Sequence, residues 1–191
     1  MELRDDPRWR RLLDQPRSCP SCGGTHLGIF DIAYSGPFVW DGPEEYSPNS
    51  AVTTSTHFLS DDFCVTRDEH FFVRCVLELP IRGAGGERFG FGVWSSLARH
   101  SFKLYVESFD DQARGELGPW FGWFSNRLNG YENTLHLKCM VHPRAERQRP
   151  LIEIEPTDHL LSREQREGIT LDRLLELYAA HGHDLRAALT D

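Results

Sequence analysis

The chain has 191 residues, 39% hydrophobic and 12% aromatic, which excludes a disordered polypeptide and allows one sizeable core. A net charge of −8 argues against nucleic acid or anionic membrane as partners held by bulk attraction. No apolar run reaches the ~18 residues of a membrane span, and MELRDDPRWRR lacks the apolar stretch of a signal peptide.

Residues 1–17 read as a short polar helix, with Asp6 as cap, Pro7 in the first turn, and Trp9, Leu12 and Leu13 on one face. The knuckle "CPSCGGTH" (19–26) follows, then the apolar run "LGIFDIAY". From Ser35 to Thr56 the Pro, Gly, Ser and Asn content predicts a long surface loop. "EHFFVRCVLELPI" (69–81) alternates with period 2, placing Phe71, Val73, Cys75, Leu77, Leu79 and Ile81 on one apolar strand face. After the turn "RGAGGE", "RFGFGVWSSL" (88–97) returns as its antiparallel partner, and Gly90 and Gly92 invite close packing on one face. The pattern next predicts a helix from about Ser96, with Phe102, Tyr105, Val106 and Phe109 on one side. "PWFGWFSN", "TLHLKCMV" and "PLIEIE" read as further strands, and the arginines of "HPRAERQRP" between them as a solvated turn. Thr157 or Asp158 caps a helix ending at Gly168, and Thr170 caps the last one.

These elements predict an α+β fold with a mainly antiparallel sheet, flanking helices and an N-terminal zinc-knuckle-like turn. Residues 1–18 form a helical extension and 19–191 a single domain, with 19–26 as the knuckle and 169–191 as a C-terminal helical segment. Five cysteines, only two closely spaced, do not make a disulfide framework, so the expected compartment is the reducing cytoplasm.

A CxxC pair serves a zinc knuckle, a redox site or two structural thiols. Gly23 and Gly24 after Cys22 favour a tight turn with amides aimed at the sulfurs, which points to zinc over redox use. His26 is in reach by sequence. Cys64, beside Asp61 and Asp62, is the best distant donor, giving the structural set Cys19, Cys22, His26, Cys64. Cys75 and Cys139 fall on apolar strand faces and read as core thiols. A catalytic constellation would draw on His70, His142, Asp158 and His159, with His136 a further histidine of the same group. No nucleophile elbow, phosphate-binding loop or HExxH helix is present. "PWFGWFSNRLNGY" (119–131) is dense in aromatics, and Trp94, Trp123 and Tyr131 with the "EPTDH" turn are the expected ligand or partner surface.

Taken together, "CPSCGGTH", "DDFCVTRDEHFFVRCVLELPI", "FGVWSSL", "FGWFSNRLNGYENTLHLK" and "QRPLIEIEPTDHLLSREQREGIT" resemble the bacterial domain of unknown function 2199 family. The resemblance covers most of the chain from Cys19 onward. It includes the knuckle, the segment around Cys64, Glu69-His70, Trp94, Trp123, Tyr131, His142 and Glu155 to His159. It departs from the family pattern at Leu160, where proline is usual, and at Arg67, where an acidic residue is common. The family implies no established activity. Two readings therefore stand: a zinc-stabilised module that binds a protein or small ligand, or a hydrolase-like enzyme with a His/Asp-lined pocket.

Overall fold

The alternation at 69–81 becomes the longest strand of the protein, seen in a computed structural model that describes residues 2–19 and 21–190. In chain order the strands are β1 (Arg17–Ser18), β2 (Thr25–His26), β3 (Ile32–Ala33), β4 (Phe58–Leu59), β5 (Phe63–Thr66), β6 (His70–Pro80), β7 (Arg88–Leu97), β8 (Trp120–Trp123), β9 (Lys138–His142) and β10 (Leu151–Ile154). The helices are α1 (Pro7–Asp14), α2 (Arg99–Glu107), α3 (Leu160–Glu167), α4 (Leu171–Ala180) and α5 (Arg186–Thr190).

β6 and β7 pair antiparallel from Phe71↔Leu97 to Pro80↔Arg88, inside a sheet ordered β3-β7-β6-β10-β9-β8, with β5 also paired to β6 and β4 to β5. Two of the pairings, β3–β7 and β10–β6, are parallel. Both join strands far apart in the chain, as parallel pairing requires. The sheet also curls, so that Ser95 bridges Phe124 and the Ser125 amide donates to the Trp94 carbonyl at 2.9 Å. The close packing foreseen at Gly90 and Gly92 comes from β3: Ala33 pairs with Gly92, and the Asp31 carboxylate accepts the Gly90 amide at 2.9 Å.

The inner face carries Phe71, Val73, Cys75, Leu77 and Leu79 with Phe89, Phe91 and Val93, all buried. At one end Phe71 meets Phe102 of α2, with ring centroids 5.2 Å apart. At the other end Phe89 meets Tyr178 of α4 edge-on at 5.4 Å. The outer face is covered as well: Phe72 and Trp94 form a second cluster with Leu59, Cys64 and the partly buried Trp40. The Pro/Gly-rich segment after Ser35 thus lies over the sheet through Trp40, and does not simply loop into solvent.

Two boundaries differ from the sequence pattern. β7 runs through Ser96 to Leu97 and α2 starts at Arg99, because Ser96 uses its hydroxyl to accept the Trp123 amide at 3.2 Å instead of capping a helix. β9 begins only at Lys138, since His136 at φ 62° turns the chain where an unbroken strand over "TLHLKCMV" was expected. Among the described residues no helix is long and apolar enough to cross a membrane.

Candidate metal centre

The knuckle is a small hairpin. Arg17↔His26 and Ser18↔Thr25 pair antiparallel, the Cys19 amide donates to the Gly24 carbonyl at 2.8 Å, and the Gly24 amide points to the Cys22 sulfur at 3.3 Å. The hairpin is fixed to α1 by buried Arg17, whose guanidinium donates to the Arg11 and Leu12 carbonyls at 2.9 Å and so caps the helix C-terminus.

The donor atoms of Cys19, Cys22, His26 and His183 all lie within 4.8 Å of one another. Cys22 Sγ stands 3.2 Å from His26 Nε2, and Cys19 Sγ stands 4.0 Å from His183 Nδ1. Two soft sulfurs and two imidazoles match the donor preference of zinc, and four protein donors fill its tetrahedron. Burial raises the Cys19 thiol, but hydrogen bonds from the Cys22 and Ser21 amides outweigh it and the net shift is downward, toward thiolate. Burial, aided by His183 and Arg17, lowers His26, which leaves the imidazole neutral as a ligand must be.

His183 reaches the knuckle by way of a helix end. Gly182, at φ 79°, takes the left-handed position after α4; its amide donates to the Ala179 carbonyl and the His183 amide to that of Tyr178. This is the Schellman arrangement, and it aims His183 back along the chain. Phe30 is stacked between His26 at 4.1 Å and Tyr178 at 4.2 Å, and the Tyr178 hydroxyl bonds both the amide and the carbonyl of Phe30. The knuckle, α4 and the turn after it therefore form one packed unit. Sequence reasoning named Cys19, Cys22 and His26 but missed His183, whose only local signal is the helix-ending glycine beside it.

Cys64, expected as the distant donor, lies elsewhere: it is fully buried in β5, in the Trp94 cluster, with its thiol pushed up to about 12 by burial. Nothing there favours a thiolate. Cys75 and Cys139 are likewise buried thiols.

The four histidine and aspartate candidates are not gathered into one site. His70 lines a cavity beside Phe72 and Trp123, whereas His142 lines another and stands 3.2 Å from the Glu153 carboxylate. Asp158 is exposed, and it does not cap α3; His159 does, its Nδ1 accepting the Leu161 amide at 3.1 Å while Nε2–H donates to the Glu132 carbonyl. His159→Ala should therefore cost about 1 kcal/mol in urea unfolding, the usual scale for losing an N-cap.

The expected aromatic surface also divides. Trp94 is fully buried, its indole N–H donating to the Tyr34 carbonyl at 3.1 Å. Tyr131 is half-buried: its hydroxyl donates to Glu164, and Arg173 lies over its ring at 4.8 Å. Burial, then Glu164, raises the Tyr131 phenol. Trp123 alone of the three is exposed, at 41%.

A model of the family described as an uncharacterized protein conserved in bacteria (DUF2199) matches residues 18–169. That span holds Cys19, Cys22 and His26, while His183 lies beyond it. No curated protein and no solved structure is found to match the chain.

Proposed function

We propose that this chain, which belongs to the DUF2199 family of uncharacterised bacterial proteins, is a binding module whose two ends are clamped together by one structural zinc ion. The observation that carries the clamp is the convergence of Cys19, Cys22, His26 and His183, drawn from opposite ends of the sequence, within 4.8 Å. Four donors leave zinc no open position for water, so the ion's work is to hold structure. The binding reading is supported by the exposed aromatic pair Phe121 and Trp123, and by His70 and His142 lining separate cavities rather than one polar pocket. Free cysteines throughout fit a reducing compartment.

Elemental analysis of the purified protein tests the clamp. One zinc per chain is expected, lost on Cys22→Ser, and a wild-type protein that takes up no zinc on reconstitution would overturn it.

A further inference from the structure

The cavity beside Trp123 plays no part in the clamp. It encloses about 460 Å³ and is lined by Val39, His70, Phe72, Ser96, Trp123, Ser125, Leu135 and His136, a volume suited to a small molecule. Its floor is the outer face of the sheet, where Phe72 of β6 sits directly across from Ser96 of β7 and His70 precedes Phe72 on the same side. The Trp123 indole forms a wall, braced edge-on by Phe121 at 5.1 Å.

We propose that this cavity binds a small molecule with a flat aromatic body and one anionic group, a carboxylate or phosphate. The proposal rests on the binding-module reading and names the ligand class for it. An exposed, braced indole over an apolar floor is a surface on which a flat ring stacks.

The polar groups around it favour an anion. Ser96 accepts the Trp123 amide at 3.2 Å, which leaves its own O–H to donate. The imidazoles of His70 and His136 have no hydrogen-bond or ion-pair partner among the described residues, so both are available as donors. His136 is held at φ 62°, an uncommon conformation for a non-glycine residue, with its amide fixed to the Phe124 carbonyl at 2.8 Å. Arg127, which lines a neighbouring cavity that shares Leu135 with this one, lies over Phe38 at 4.2 Å and makes no ion pair among the described residues. The Phe38 amide donates to the carbonyl of the lining residue Ser125 at 2.7 Å, which links the Arg127–Phe38 pair to the cavity wall. In a chain with 29 acidic against 21 basic residues, no carboxylate lines the site. An anion placed there meets donors and no like charge.

Titration calorimetry of the full, zinc-analysed chain with 2-naphthoate, 2-naphthyl phosphate and the neutral 2-naphthylmethanol tests this. At least one anion should bind saturably, and the alcohol about tenfold more weakly or worse. Trp123→Ala, and separately His136→Gln, should each weaken the bound anion by about tenfold, the scale of one stacking or charge-assisted contact. Unfolding temperature and zinc content should not move. If Trp123→Ala lowers stability, His136→Gln and His70→Gln at exposed positions carry the test. Preference for the alcohol, no binding of any probe, or anion binding unaffected by these variants overturns the proposal. A zinc-loaded chain with its wild-type stability that binds no probe overturns the ligand alone. Anion binding by a chain that takes up no zinc on reconstitution overturns the clamp alone.

Discussion

His183→Ala should release the metal and lower the thermal midpoint by about 10 °C, whereas Cys64→Ser should leave the zinc content unchanged. The magnitude follows from linkage. A ligand present at about a thousand times its dissociation constant stabilises the folded state by ~4 kcal/mol. For a chain of this size each kcal/mol moves the midpoint by roughly 2–4 °C. His183 is half-exposed at the turn after α4, so removing its ring leaves no large cavity, and the loss reports the metal. Chelation of the wild type should reproduce the same midpoint, and added zinc should restore it in the wild type but not in the variant. Cys64 is the control because it is the other distant donor the sequence offers. It is buried among Leu59, Phe72 and Trp94 with its thiol kept protonated, and among the described residues it joins no group of metal donors. Full zinc occupancy and wild-type stability in His183→Ala would remove His183 from the ligand set and return the fourth donor to solvent or another residue.

Patterns confined to neighbouring residues were legible in the sequence. Period 2 marked β6 and β7 and their shared inner face, Thr170 announced α4 by accepting the Arg173 amide, and CxxCGG announced the knuckle. What was not legible depends on residues distant in the chain. The fourth donor is 164 residues from Cys19, and no local pattern links Gly182-His183 to a hairpin at the other end. Trp94 shares the face of β7 with Gly92 and Ser96, which reads as a solvent side until Trp40 and Leu59 cover it. His159 after Asp158 resembles an acid–base neighbour pair, yet its ring nitrogen does the work of a capping oxygen. The cavity was half visible: alternation set His70 and Phe72 on one side of β6, but Trp123 and His136 arrive there only through the curl that joins Phe124 to Ser95.

The second large effect lies in the core. Leu77→Ala should destabilise the protein by about 2–5 kcal/mol in equilibrium denaturation, through lost burial and the cavity left behind. Leu77 has no exposed surface and pairs with Phe91 across β6 and β7, two positions along from Leu79↔Phe89, where Tyr178 closes the core. Strands flank it on both sides, β7 on one and β10 on the other at Val76, so the backbone has little freedom to collapse into the space. Glu78→Ala, one residue on and facing outward with a 3.5 Å pair to Arg88, should cost at most about 1 kcal/mol, as for a partly exposed ion pair. The contrast between adjacent residues is the informative result. It separates the inner face of β6 from the outer one by energy, with zinc held at saturation so that the clamp contributes equally to both variants. A Leu77→Ala cost below about 1 kcal/mol would mean that the residue does not face this core, and with it the register of β6 against β7 would fall.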